Sequence, residues 1–161
     1  MRLKRSTIGL ALLTLGAGAF VDCRPADSRV DDVRLAVFQQ QVGFWLDAQA
    51  REARTVACLA IEDAGVRRSV ARDYLERFPK RDPVRMSDEC EERASGAVER
   101  GTGRPAVLVT VGKVEWKSAG EAWVTTRHYR SALASGERIQ RVVREDTRWV
   151  CLGQIIKDTP L

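Results

Sequence analysis

The most constraining feature of this sequence is a series of four strand-like segments near its C-terminal end, separated by breaks of only two to four residues. Each segment is rich in β-branched and aromatic residues, and the breaks contain glycine, serine or aspartate. Connections this short can join only antiparallel neighbours, so the pattern predicts an antiparallel four-stranded meander. The predicted strands are 106–116, 121–132, 137–145 and 148–156.

The first of these strands changes phase part of the way along. Val107, Val109 and Val111 alternate as one face of a strand does, but Val114 and Trp116 are one position out of step. A β-bulge adds one residue to a strand and restores such a phase. We therefore predict a bulge at residues 112–113, and because bulges bend strands, a curved sheet.

A long amphipathic helix is predicted ahead of the sheet, from residue 29 to about residue 54, with Asp27 or Ser28 as its cap. Its apolar side chains fall within about half of the helix circumference, which suits a helix laid across a sheet. These side chains are Val30, Val33, Val37, Phe38, Val42, Phe44, Trp45 and Ala48.

Shorter elements are expected between the helix and the meander. Residues 55–61 are apolar on both faces and predict a buried strand, or else an extension of the helix. Residues 66–78 predict a second helix that ends before Pro79, and Ser87 is the expected cap of a short acidic helix. Residues 95–104 are expected to form a flexible loop.

The order of these elements resembles that of the cystatin-like and NTF2-like α+β proteins, in which a long N-terminal helix packs on a curved antiparallel sheet. The polar turn before Trp149 resembles the last hairpin of many such domains. Cys58-Leu59-Ala60, followed by Ser87-Asp88-Glu89-Cys90, resembles a pattern in small exported bacterial proteins of unassigned function. The resemblance covers residues 29–156 and implies a cone-shaped fold, with no catalytic signature.

The first nineteen residues are predicted to be a signal peptide. A basic start (Arg2, Lys4, Arg5) precedes an apolar run and the small-residue site Ala17-Gly18-Ala19, so cleavage is expected between Ala19 and Phe20. Residues 20–28 then form an irregular lead-in to a single α+β domain at 29–161. This places the protein in the periplasm or outside the cell. The alternative is a lipoprotein anchored to the membrane at Cys23.

Composition and charge exclude several classes of protein. The chain is 44% hydrophobic and 30% charged, which argues against disorder, and no segment after the leader has the length and apolarity of a membrane span. The net charge of +5 falls to +2 once the three basic residues of the leader are removed. We therefore expect no nucleic-acid partner.

The four cysteines all lie after the leader, and an even number in an oxidising compartment predicts disulfides. Spacing alone leaves three pairings open. We predict Cys58–Cys90, because the connection between them can bring the chain back to the buried strand. Cys23–Cys151 is then the second bond. The spacing matches no zinc or redox motif, so we expect neither a metal nor another cofactor.

A pocket inside the cone is one candidate site, with Trp45, Trp116 and His128 as its lining. His128 is the only histidine and would need a carboxylate such as Asp47 or Glu121 for acid–base catalysis. No nucleophile motif accompanies it, so a strand histidine without a catalytic role is the preferred interpretation, and no catalytic residue is assigned.

The other candidate site is an arginine-rich part of the meander. Arginine is favoured at protein interfaces, and Trp123 is the expected aromatic anchor. Alternation places Arg138 and Arg144 on one face, with Arg141 opposite. The sequence thus favours an exported, non-catalytic module that binds a protein partner, for example an inhibitor or immunity-type protein. The alternative is an NTF2-like small-molecule-binding protein or enzyme. The candidate partner residues are Arg127, Arg130, Arg138, Arg144 and Trp123.

Overall fold

A computed structural model describes residues 26–49, 55–80 and 83–155 of the chain. Nine strands and one long helix account for most of these residues, so the chain is an α+β protein. In chain order the elements are α1 (Ala26–Gln49), β1 (Val56–Asp63), β2 (Val66–Ser69), α2 (Arg72–Leu75), β3 (Val84–Met86), a 3₁₀ turn (Ser87–Glu89), β4 (Cys90–Arg93), β5 (Gly96–Glu99), β6 (Ala106–Ser118), β7 (Glu121–Ser131), β8 (Ala134–Glu145) and β9 (Arg148–Gln154).

The predicted fold class, a helix on a four-stranded antiparallel meander, is wrong. β6 to β9 do form an antiparallel meander, but it is one part of a mixed sheet of seven strands. β1 lies next to β6 in a parallel register that aligns Val56 with Ala106 and Ile61 with Val111. The other edge of β1 is shared by β3, which pairs in parallel, and β2, which pairs antiparallel. A run of apolar residues predicts a buried strand but does not identify the strands that pair with it. The sequence therefore did not predict this pairing.

The two faces of β1 explain its continuous apolar sequence. Ala57 and Leu59 face α1, whereas Val56 and Cys58 face the opposite side, and all four are fully buried. A strand buried on both faces has no reason to alternate polar and apolar residues. The prediction of a buried strand at 55–61 is therefore confirmed.

The main core lies between α1 and the sheet. Val33, Val37, Phe38 and Val42 of α1 are buried against inward-facing residues of β1 and β6 to β9. The helix begins at Ala26, so the last three residues of the predicted lead-in are helical. Among the described residues, no helix is long and apolar enough to cross a membrane.

The predicted bulge in β6 is confirmed. The pairing with β7 shifts between Val111 and Val114, at Gly112 and Lys113. As a result Val107, Val109 and Val111 pack in the same core as Val114 and Trp116. A second shift, between β8 and β9, leaves Leu152 without a partner in the register.

The predicted helix at residues 66–78 is wrong. Residues 66–69 form β2, and only the four residues of α2 are helical. Val70 and Phe78 are buried all the same, and Tyr74 and Leu75 pack beside them. A short strand followed by one helical turn therefore buries the same apolar residues as a continuous helix would. The predicted acidic helix is likewise only the 3₁₀ turn, after which Cys90 begins β4.

The second, two-stranded sheet is a hairpin made by β4 and β5, where a flexible loop was predicted for the β5 residues. Cys90 and Ala97 of the hairpin pack with Cys58 and Leu108 on the side of the main sheet away from α1. The hairpin approaches β7 so closely that a Cβ atom on Gly96, which has φ of +126°, would lie 2.5 Å from the carbonyl oxygen of Arg130. The hairpin therefore covers one end of this face.

Glu99, at the end of the hairpin, is a buried carboxylate with three partners. It accepts hydrogen bonds from Arg104 (2.8 Å), Arg85 (2.6 Å) and Thr102. The bond from Arg104 is the main cause that lowers the pKa of Glu99 to about 2, against the opposing effect of burial. A buried charge held in this way ties the hairpin and its following loop to β3.

Candidate binding surface on the outer face of the sheet

The outer face of the sheet, which is the face opposite α1, is only partly covered by the described residues. The hairpin lies over β1, β6 and the end of β7, whereas β8 and β9 pack against α1 on their inner face. Ala122, Val124 and Val142 are buried on that inner face. Because side chains alternate along a strand, Trp123 and its cross-strand partner Arg141 project outward.

Trp123 is held in place by two charged neighbours. The ammonium group of Lys117 lies 4.1 Å from the centroid of the indole ring, and the indole Nε1–H donates to Glu121 at 3.1 Å. Glu121 also accepts two hydrogen bonds from Arg141, at 3.0 and 3.1 Å. The bonds from Arg141, and then the bond from Trp123, lower the pKa of the Glu121 carboxyl. The indole therefore has a defined position before any partner arrives.

Apolar side chains continue the outer face beyond this group, on β8 and β9. Ile139 and Val143 flank Arg141 along β8, and Val150 lies opposite Val143 on β9. Leu152, the unpaired residue of the β9 irregularity, is 53% exposed. We call these residues the Trp123 surface: Trp123, Ile139, Arg141, Val143, Val150 and Leu152.

A groove adjoins the Trp123 surface toward the hairpin. It has a volume of about 410 Å³, and Thr110, Arg127 and Tyr129 contribute to its lining. The guanidinium of Arg127 pairs with Glu62 and with Glu137, each at 2.6 Å. Arg127 is thus neutralised by two carboxylates and does not present a free positive charge.

The structure separates the arginines that the sequence grouped together. Trp123 and Arg127 lie on the outer face, whereas Arg138 and Arg144 occupy positions of β8 that point to the opposite side, as their pairing with Thr126 and Trp149 shows. Arg130 lies near the end of β7, where the hairpin approaches its backbone. Only part of the predicted set therefore shares one surface.

Five members of the surface were not predicted from the sequence: Ile139, Arg141, Val143, Val150 and Leu152. Alternation had already placed Arg141 opposite Arg138 and Arg144.

Counting across the turn at 132–133 would have paired Trp123 with Val142, because the register of β7 and β8 shifts by one residue between Tyr129 and Ser131. The pairing of Trp123 with Arg141 was therefore not accessible from the hairpin loop alone. Lys117 gave no signal of its own, because it resembles an ordinary charged residue beside a turn, and Glu121 had been considered only as a carboxylate for His128.

The three residues predicted to line an inner pocket do not meet. The rings of Trp45 and His128 are 4.9 Å apart, but Trp116 packs against Trp149 and lies 4.7 Å from Arg29, near the start of α1. Sixteen residues separate Arg29 from Trp45, which is about 24 Å along a helix. Glu121 lies on the outer face, away from His128, and the side chain of Asp47 is outside the described part of the chain.

The Cys58–Cys90 disulfide is present, as predicted, and joins β1 to the hairpin. Among the described residues Cys151 has no disulfide partner; its sulfur lies 3.9 Å from Gln140, and burial raises the pKa of its thiol. Its predicted partner Cys23 lies outside the described residues, as do the predicted leader and the cleavage site at Ala19 and Phe20.

Within the described residues, no group of three or more histidine, cysteine, aspartate or glutamate side chains is arranged to hold a metal ion. Comparisons of the chain with protein-family models, with curated proteins and with solved structures find no significant match. A functional assignment therefore rests on the geometry of the described residues.

Proposed function

We propose that this chain is an exported, non-catalytic binding module that holds a protein partner on the Trp123 surface. The observation that carries the proposal is the indole of Trp123, which Lys117 and Glu121 fix on the outer face of the sheet. The hairpin packs mainly on β6 and β7, and less on β8 and β9, where the rest of the Trp123 surface lies. Tryptophan and arginine are the residues that most often dominate the binding energy of protein interfaces. Here they are cross-strand neighbours.

The arrangement around the indole favours binding for two physical reasons. A side chain that is already held in its bound position loses little conformational entropy when a partner docks. The apolar residues around Arg141 would exclude water from its contact with Glu121, as the rim of an interface does around its central residues. We expect the partner to place an apolar side chain against the indole.

Export is part of the proposal. The disulfide between Cys58 and Cys90 is compatible with an extracellular location, because such bonds persist in oxidising compartments. Together with the leader-like first nineteen residues, it supports a periplasmic or secreted protein, with a lipid anchor at Cys23 as the alternative. An inhibitor or immunity-type protein, which acts by occupying a partner, fits a module of this kind.

The small-molecule alternative receives less support from the geometry. Its three lining residues are divided between the two ends of α1, and Phe38, Val37 and Val124 fill the core between helix and sheet. The ring of His128 packs against the ring of Trp45. Among the described residues, no carboxylate forms a hydrogen bond with His128.

The experiment begins with the isolation of a partner from extracytoplasmic extract, followed by affinity measurements on purified variants. Trp123→Ala and Arg141→Glu should each weaken binding by roughly 30-fold or more, as expected for central interface residues. Arg144→Glu is the matched control, because it reverses the same charge on the same strand but on the opposite face.

Two results would contradict the proposal. One is a partner whose affinity falls with Arg144→Glu but not with Trp123→Ala or Arg141→Glu, since this would place the interface on the other face. The other is a turnover activity that His128→Ala abolishes, which would favour the enzyme alternative.

A further inference from the structure

The groove beside the Trp123 surface has features that the proposed function does not use. It crosses the outer face of the sheet between β2 and β8, and its volume is about 410 Å³. Its lining includes Leu108 and Thr110, which are buried, and Tyr129, which is half-buried. We call this cavity the Arg127 groove, and its main lining residues are Glu62, Leu108, Thr110, Arg127, Tyr129 and Glu137.

Arg127 forms an ion-pair bridge across this face. Its Nε–H donates to Glu137 on β8, and a terminal nitrogen donates to Glu62 on β1, each at 2.6 Å. The ion-paired side chains therefore reach across four adjacent strands, β1, β6, β7 and β8. Because the two carboxylates lie at the edge of the planar guanidinium, its flat faces stay available for other contacts.

A second cavity borders the same bridge. Its volume is about 220 Å³, and Arg127 and both of its carboxylate partners line it as well as the Arg127 groove. Gly112 and Thr125 line only the second cavity. With open space on two sides, the side chain of Arg127 is 53% exposed although it is held by two ion pairs.

The carboxylates and guanidinium groups that line the Arg127 groove are all paired. Glu62 and Glu137 are bound to Arg127, and Arg67 is bound to Glu92 of the hairpin at 3.1 Å. A charged ligand would therefore find no unpaired counter-ion among these lining residues, whereas an uncharged one needs none. The charges favour an uncharged occupant.

We propose that the Arg127 groove receives an aromatic side chain of the protein partner, with its ring stacked on the guanidinium of Arg127 and in contact with Leu108 and Tyr129. A guanidinium group attracts an aromatic ring through its flat face, and arginine does so more often than lysine. Trp123 and Arg127 project from the same face of β7, four residues or about 13 Å apart, so one partner can reach both. This proposal rests on the proposed function, because it names a chemical group of the same partner.

The test uses ¹⁵N-labelled protein and p-cresol, the side-chain analogue of tyrosine, so it does not need the partner. The Nε–H of Arg127 gives its own signal in a ¹H–¹⁵N spectrum, and the signal is assigned by its loss in Arg127→Lys. A stacked ring shields this proton, so p-cresol should move the signal upfield in a saturable manner. 4-Methylcyclohexanol, which has the same skeleton without the aromatic ring, should not.

Two substitutions measure the contribution of the groove, with the backbone amide of Thr110 as the reporter. Arg127→Lys keeps the charge but removes the planar group, and Tyr129→Leu removes the aromatic wall. Each should weaken the affinity for p-cresol by roughly threefold or more, as expected for one cation–π or aromatic contact. Arg148→Lys, the same exchange on the distant strand β9, is the matched control and should leave the affinity unchanged.

A response that stays linear without saturation, or an affinity that neither Arg127→Lys nor Tyr129→Leu changes, would overturn the site. Equal binding of 4-methylcyclohexanol would overturn the aromatic assignment. With the isolated partner, Arg127→Lys should weaken binding, and an unchanged affinity would show that the partner does not use the groove. If Trp123→Ala weakens partner binding but p-cresol does not bind, only the proposal for the groove fails. If p-cresol binds but Trp123→Ala has no effect on the partner, only the proposed function fails.

Discussion

The indole of Trp45 lies against the imidazole of His128 with 4.9 Å between the ring centroids, and this contact joins the C-terminal part of α1 to the end of β7. Gly136, the cross-strand partner of His128, lies beneath the same imidazole, since a Cβ atom there would be 3.2 Å from Cε1. The ring therefore packs between an aromatic side chain and bare backbone. Burial of this kind, and then the charge of Arg138, lower the pKa of His128.

The first prediction concerns the titration of His128. Its pKa in the folded protein should lie below the usual 6.5, and Arg138→Gln should raise it because one nearby positive charge is removed. Since His128 is the only histidine, one imidazole signal in an NMR titration measures the effect. Arg144→Gln is the control, because position 144 is six residues further along β8, roughly 20 Å away.

The lowered pKa has a defined sign for stability. The unfolded chain binds a proton at His128 at higher pH than the folded chain does, so the free energy of unfolding should decrease as the pH falls from 6.5 through the folded pKa, and this contribution should then level off. His128→Gln should remove that part of the pH dependence. An unchanged slope in this variant, measured by urea unfolding at several pH values, would show that the group does not contribute.

A second prediction concerns the disulfide between Cys58 and Cys90. The two cysteines are 32 residues apart, and in the chain-entropy model a loop of this length stabilises by roughly 3–4 kcal/mol. The comparison is best made in a Cys151→Ser background, which removes any bond to Cys23. Cys58→Ala/Cys90→Ala should then lower the free energy of urea unfolding by about that amount.

Reductant provides the internal check for the same prediction. Reduction should lower the free energy of unfolding of the Cys151→Ser protein by a similar amount. It should not affect the variant that carries Cys58→Ala and Cys90→Ala in addition to Cys151→Ser. Equal stability of the two proteins under oxidising conditions would contradict a structural role for the bond. Peptide mapping without reduction should recover Cys58 linked to Cys90.

A third prediction uses the turn between β1 and β2. Asp63 pairs with Val66, and the two residues between them, Ala64 and Gly65, both have positive φ, at +49° and +79°. Such two-residue turns favour Asn-Gly, because asparagine tolerates the left-handed conformation that costs other residues about 1–2 kcal/mol. Ala64→Asn should therefore raise the free energy of unfolding by about 1 kcal/mol.

The matched control for this variant is Ala94→Asn. Ala94 also lies in a two-residue turn, between Arg93 and Gly96, but it does not have a positive φ. The substitution there should bring no gain. If both substitutions stabilise equally, asparagine acts through some general property of turns and not through relief of the Ala64 conformation.

The bulge in β6 shows what a sequence pattern can predict. The phase change between Val111 and Val114 is a local signal, because both residues must reach the same core, and one inserted residue is the simplest solution. The disulfide was predicted for a similar reason, since Cys58 lies on a strand that is plainly buried. The outward position of Trp123 also follows from alternation within one strand.

What escaped prediction depends on contacts that are distant in the sequence or on weak local signals. The sequence of residues 55–61 does not identify which strand pairs with it, and the observed partner, β6, lies fifty residues later in the chain. The turn at Ala64-Gly65 lacks the asparagine that marks such hairpins, so Val70, Tyr74 and Phe78 suggested a helix by their spacing alone. The ion pair between Arg34 of α1 and Asp63 of β1 joins segments that are distant in the sequence and therefore exists only in the folded chain.

The parallel pairing of β1 with β6 has a consequence for the order of folding. β6 to β9 are consecutive and joined by short turns, so their contacts close small loops, whereas Val56 must find Ala106 across fifty residues. Contacts of such high sequence separation are slow to form. We expect the C-terminal hairpins to form early and β1 to dock late, so that a chain interrupted between these steps would expose the unpaired edge of β6 to other molecules.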